Sequence, residues 1–175
     1  MDFVFLNTAH PFYADAEALM ESAFPREERR PRARQRQLAD DRNSRFHALA
    51  VTENETFAGA LNYWTLDGFV YVEHLATRAE FRGQGLGRRI LERFARDVAA
   101  PLVLEVEPPD NDIARRRIEF YKRCGFVLWE NRDYRQPPYA AGLPSVSLRI
   151  MALGNLNEAR DFSRVTREIL ANVYA

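Results

Sequence analysis

Tyr71-Val72-Glu73-His74-Leu75-Ala76-Thr77-Arg78-Ala79-Glu80-Phe81-Arg82-Gly83-Gln84-Gly85-Leu86-Gly87-Arg88-Arg89 is the stretch whose reading settles the fold. It starts as an apolar strand, passes through three glycines at alternate positions and opens a helix with Leu86, Ile90, Leu91, Phe94 and Val98 on one face. Glycine admits positive φ and lets the backbone approach a ligand closely. The free N–H groups of a first helical turn, aided by the helix dipole, then attract an anion. Arg82 and Arg88 bracket the turn and offer charge-assisted hydrogen bonds to phosphate oxygens. The plainer alternative is a glycine-rich loop that only caps a helix.

Upstream, residues 3–6 read as a strand, and Phe12, Ala16, Leu19, Met20 and Phe24 recur at helical spacing until Pro25. Residues 26–42 carry seven arginines among acids and glutamines, with a short helix ending near Asp40-Asp41. Phe46–Val51 and Thr56–Trp64 flank a polar turn, and Asp67-Gly68 precedes a strand over Phe69–Ala76, which makes an antiparallel meander. Downstream, Leu102–Glu107 is a strand ended by Pro108-Pro109. Ile113, Arg117, Phe120, Tyr121 and Cys124 share one side of a helix that Gly125 terminates. Phe126–Trp129 and Ser145–Met151 read as closing strands around a loop rich in Pro and Tyr. A last amphipathic helix covers about 157–174, with Phe162, Val165, Ile169 and Val173 inward. The order predicts an α/β fold, a mixed central sheet flanked by helices, in one domain over 1–175 with its core at 46–151.

The whole-chain properties narrow the function classes. At 175 residues, 46% of them hydrophobic, the chain can bury a core without metal or disulfides. Lys+Arg and Asp+Glu both number 25, so no global charge argues for nucleic acid or an anionic membrane. The single cysteine, Cys124, cannot form an internal disulfide, and the residues after Met1 do not read as a signal peptide, so a cytoplasmic location is expected. No apolar run approaches the ~18 residues of a membrane span. No His/Cys/Asp cluster has metal-ligand spacing, so no metal is expected.

Two other phosphate loops are excluded. A Walker loop ends in Gly-Lys-Ser/Thr, which is absent. A dinucleotide fingerprint needs a third glycine where Arg88 stands, and no Thr77–Phe81 spacer between strand and glycines. Instead, Arg82-Gly83-Gln84-Gly85-Leu86-Gly87 resembles the Arg/Gln-x-x-Gly-x-Gly/Ala signature of the GCN5-related N-acetyltransferase (GNAT) family. Phe120-Tyr121-Lys122-Arg123-Cys124-Gly125-Phe126 resembles that family's second motif, a helix ending in Tyr with Gly-Phe four and five residues on. Ala114 and Arg117 stand where many members carry Asn and Ala.

The resemblance implies a GNAT-like fold and acetyl-CoA held by Leu75, Ala76, Thr77, Arg82, Gly83, Gln84, Gly85, Leu86, Gly87 and Arg88. It implies a strand that splays from its neighbour before the glycine turn, baring amides for the acyl carbonyl. It also places Tyr121 beside the cofactor sulfur, as acid for the departing thiolate. A phenol, at a reference pKa of ~10 against ~8.5 for a thiol, suits that role; the alternative is a core aromatic.

Acyl transfer also needs a base to deprotonate the amine. Glu73, a carboxylate inside an apolar strand, is the candidate, with a salt bridge to an arginine as the equal alternative. Strict alternation would set Tyr71, Glu73 and Leu75 on one face and Val72 and His74 on the other. Glu105 and Glu107, sharing a face of the next strand, are rivals for the base or for binding the substrate amine, and His74 is a further rival. Arg29 and Arg30 are candidates for lining an acceptor site that takes an acidic substrate; a solvated helix face is the plainer reading of their segment.

The function expected is direct acetyl transfer from acetyl-CoA to a primary amine of a small molecule or peptide, by a monomer or homodimer. The alternatives are an acyl-CoA-binding sensor without turnover and a nucleotide-binding regulatory domain.

Overall fold

The computed structural model describes residues 1–174. An eight-stranded sheet runs in the order β1 (Asp2–Leu6), β2 (Phe46–Glu53), β3 (Thr56–Leu66), β4 (Phe69–Thr77), β5 (Leu102–Val106), β8 (Val146–Leu153), β6 (Val127–Leu128), and β7 (Tyr134–Gln136) pairs with β8 off this path. All pairs are antiparallel except β4 with β5.

Helices cover both faces. On one lie α1 (Tyr13–Ala23), α2 (Arg32–Asp40) and α5 (Glu158–Asn172), which seat Met20, Leu38, Val165 and Ile169 against Phe46, Trp64 and Tyr71. On the other lie α3 (Leu86–Val98) and α4 (Asp112–Arg123), which seat Leu91, Phe94 and Ile118 against Leu61, Val72 and Leu104. The mixed α/β architecture is the one expected.

The differences from the expectation have local causes. The β2–β3 turn shrinks to Asn54-Glu55, both at positive φ, so β2 gains Thr52 and Glu53, which the polar composition had hidden. β5 stops at Val106, one residue before Glu107. On α4 the buried face is Ala114 and Ile118, while Ile113 stands 68% exposed. β7, three residues inside the Pro- and Tyr-rich loop, carries too little apolar periodicity to be seen in sequence.

The arginine-rich segment answers the carboxylates of α1. Arg32 pairs with Glu21 and Arg36 with Glu17, each at 2.6 Å, and exposed pairs of this kind add little stability. No helix among the described residues is long and apolar enough to cross a membrane.

Two irregularities in β4 create the site. Asn62 of β3 faces His74 while the next residue, Tyr63, faces Val72, so Glu73 is an unpaired extra residue, a β-bulge. Meanwhile β4 and β5 pair only through Val70–Leu102, Tyr71–Val103 and Val72–Leu104. Beyond that point β5 stays with β8 through Val106 and β4 stays with β3, so the two strands part.

Candidate active site

The parting of β4 and β5 opens a cleft of about 250 Å³ through the sheet. Leu75, Ala76 and Thr77 line it from β4, Glu105 from β5, Arg82 from the glycine turn and Tyr121 from α4. The expected splay is therefore present.

At the glycine turn, Gly83 and Gly85 both hold φ +74° and face open space where a side chain would stand. Gly85 sits just before α3, and the first helical N–H to meet a carbonyl is that of Arg89, donating to Gly85 at 3.1 Å. The amides of Leu86, Gly87 and Arg88 are the unpaired donors of a helix start. Gly87 serves packing instead: a Cβ there would touch the Phe120 ring at 3.4 Å. Arg88 pairs with Glu92 on α3, and Arg82 Nε leans on the Thr77 carbonyl at 3.4 Å. Both guanidiniums stay at the surface beside the turn.

The two carboxylates flanking the parting differ sharply. Glu73 is enclosed. Arg30 reaches its Oε1 at 2.6 Å and Oε2 at 2.8 Å, Trp64 Nε1 donates at 2.9 Å and the Tyr139 hydroxyl at 2.6 Å. Burial works to raise its pKa, but the Arg30 guanidinium and these hydrogen bonds bring it down to about 2. Of the two readings open in sequence, the geometry is that of the salt bridge.

Glu105 has no cation. The Tyr174 hydroxyl donates to its Oε2 at 2.7 Å, and its Oε1 is buried without a partner among the described residues. Burial pushes its pKa up to about 7, against the lowering effect of neighbouring tyrosine hydroxyls.

The bulge also corrects the facing of β4. His74 lies on the face of Tyr71 and Glu73, against Phe24 just past the end of α1, while Leu75 turns to the Val72 face. Strict alternation fails because the extra residue at Glu73 shifts the period by one. His74 Nε2–H donates to the Glu28 carbonyl at 2.8 Å, and burial lowers its pKa, so it is a satisfied neutral histidine.

Tyr121 enters from the opposite face of the sheet. Its ring packs edge-on to Phe120 and Phe126, its hydroxyl has no hydrogen-bond partner among the described residues, and burial raises its pKa to about 12.

Glu107 lies past the end of β5, so alternation does not govern it; it lines the cleft and pairs with Arg117 at 3.0 Å. Arg29 and Arg30 do not line the cleft as the sequence suggested. Arg29 donates to the Phe24 carbonyl, and Arg30, beyond Glu73, donates to the Val173 carbonyl and stacks on Trp64 and Tyr139. Burial opposes the charge of Arg30, and Glu73 restores it and holds its pKa up. Sequence reading missed Glu28 and Tyr174 as cleft residues; each arrives from an element distant in the chain, with no local signal.

Comparison with known proteins fits this geometry. The model of the acetyltransferase (GNAT) family matches residues 11–126. A solved structure from Bacteroides thetaiotaomicron, described as a GNAT-family acetyltransferase, is 36% identical over 99% of this chain and 98% of its own, with a TM-score of 0.94. YjbC of Bacillus subtilis (strain 168), named as an acetyltransferase, is 30% identical over 115 residues, 65% of this chain. The match spans 57% of the length of that curated relative. A GNAT acetyltransferase from Elizabethkingia anophelis, solved with acetyl-CoA bound, shares the fold at 13% identity over 87% of this chain and 96% of its own, with a TM-score of 0.58. The chain belongs to the acetyltransferase (GNAT) family, and acetyl-CoA is the acyl donor that membership implies.

Proposed function

We propose that this protein transfers an acetyl group from acetyl-CoA directly to a primary amine, with Glu105 as general base and Tyr121 as general acid. The observation that carries the reading is the pairing of a cleft carboxylate with a pKa near 7 and a phenol held protonated on the other side of the same opening. Glu105 Oε1 is free to take a proton from the incoming ammonium. The freed amine attacks the thioester carbonyl, and amides of the Leu75–Thr77 edge, left without a neighbour strand, stabilise the oxyanion. As the C–S bond breaks, Tyr121 gives its proton to the thiolate; the second proton shed by the attacking nitrogen restores the phenolate through solvent, and Glu105 releases its own proton to solvent.

Glu73 acts as a positioning residue in this scheme. A carboxylate at about 2 is a weak base, and its hydrogen bonds fix Tyr139 in the cleft wall and Arg30 behind it. Tyr174 orients Glu105 by holding Oε2. Direct transfer is favoured over a covalent enzyme intermediate because the one cysteine, Cys124, ends α4 outside the cleft with its thiol pushed up by burial. The glycine-turn amides, with Arg82 and Arg88 beside them, are suited to the CoA pyrophosphate.

The test is release of free thiol from acetyl-CoA across a panel of primary amines, with calorimetry of acetyl-CoA binding alongside. Turnover with a drop of about 10²-fold in kcat for Tyr121→Phe supports the scheme. Binding without turnover of any amine would make the protein an acyl-CoA sensor. Failure of both acetyl-CoA and CoA to bind at micromolar concentration ends the reading.

A further inference from the structure

The cleft's charge pattern narrows the acceptor, given the acetyl-transfer reading. The two arginines that sequence offered for an acidic substrate are consumed elsewhere, Arg30 by Glu73 and Arg29 by the Phe24 carbonyl and Glu21. Four carboxylates line the cleft, Glu28, Glu73, Glu105 and Glu107, against two arginines, Arg82 at the glycine turn and Arg117. At the floor, Glu105 presents Oε1, buried and unpartnered. Nearer α1, Glu28 lines the same cleft, and its side chain has no hydrogen bond or ion pair with any described residue. Glu107 is close enough to repel it electrostatically, and Arg117, which pairs with Glu107 at 3.0 Å, attracts it less strongly. A half-buried carboxylate beside another carboxylate, with no ion pair of its own, gains from a ligand that supplies the charge.

We propose that the acceptor is a dibasic amine: its reacting nitrogen meets Glu105 Oε1 while a second ammonium or guanidinium group is held by Glu28 beside Glu107. Two separated acidic points also reject the alternative acceptors by sign, since an acidic substrate meets like charge at both. Glu28 is then a specificity residue, bound to a part of the substrate that does not react. Its loss affects ground and transition states equally, so it changes KM and leaves kcat.

The test compares chain-matched acceptors, diaminobutane and diaminohexane against butylamine and hexylamine, by thiol release from acetyl-CoA. The expected result is a KM for the diamines about 10-fold below that of the matched monoamines, as one charge-assisted contact provides. Glu28→Gln should raise the diamine KM about 10-fold with the monoamine KM and both kcat values unchanged. Arg117→Gln, which releases Glu107, should lower the diamine KM. Equal KM values for diamines and monoamines, or a diamine KM that neither substitution moves, overturns this proposal and leaves acetyl transfer standing. Absence of turnover with every amine overturns acetyl transfer itself, and the acceptor assignment with it.

Discussion

Glu73 and Glu105 sit on adjacent strands at the point where those strands part, both enclosed and both hydrogen-bonded by a tyrosine hydroxyl, yet they carry opposite shifts. Glu73 meets a guanidinium at 2.6 Å and is held down to about 2. Glu105 meets only hydroxyls and rises to about 7. The lesson is that burial alone does not make a base. Desolvation pushes both carboxylates upward, and the single difference of a cation decides which remains a plain anion and which titrates near neutrality. The bulge at Glu73 matters here, because it leaves Glu73 on the Tyr71 face, toward Arg30, and brings His74 onto that face beside it.

The largest expected effect comes from erasing the base. Glu105→Gln should lower kcat/KM by about 10²- to 10⁴-fold and remove the limb of the pH–rate profile that rises through pH 7. Glu73→Gln, under the same assay, should keep that limb at the same pH; a limb lost with Glu73 rather than Glu105 would reverse the assignment of the two carboxylates.

Removing the cation breaks the comparison from the other side. Arg30→Met leaves Glu73 buried and uncompensated, at a cost of about 3–5 kcal/mol in urea unfolding. Arg30→Met with Glu73→Leu should recover most of that loss, since a well-packed apolar pair can replace a buried ion pair.

A smaller effect is expected at Tyr174. Its hydrogen bond favours the charged form of Glu105, so Tyr174→Phe should move the rising limb toward higher pH while leaving the limb in place. A merely structural tyrosine would change stability and leave the limb unmoved.

The smallest effect is on stability against pH. Glu105 binds its proton more tightly when folded, at about 7 against an ordinary 4.5, so its contribution is full below 4.5 and is lost as pH rises toward 7. Glu73 behaves oppositely, with its contribution present above 4.5 and lost as pH falls toward 2. Denaturant midpoints of Glu105→Gln should therefore gain on the wild type between pH 5 and 7, as order-of-magnitude linkage requires.

Much of the donor side was legible in the chain itself. Alternate glycines ahead of Leu86, Ile90, Leu91 and Phe94 announce a turn and a buried helix face from local geometry alone, and Gly83 and Gly85 do adopt positive φ. Gly125 closes α4 at φ +91° as its position predicts. Tyr121 followed by Gly125-Phe126 was equally local. These features depend on residues a few positions apart, where chain geometry leaves few choices.

The acceptor side was not legible. Arg30 and Glu73 are 43 positions apart, Tyr139 and Glu73 are 66 apart, and Tyr174 and Glu105 are 69 apart. Sequence could name Glu73, Glu105 and Glu107 as carboxylates in or beside strands, and could not say which one a distant arginine would neutralise. It assigned Arg29 and Arg30 to a substrate for the same reason, that their partners were out of sight. The sequence by itself therefore determined the order of strands and helices apart from β7, the glycine turn and the family. Only the tertiary structure decided which carboxylate meets a cation and which is left without one, because a pKa is set by burial and by neighbours in space.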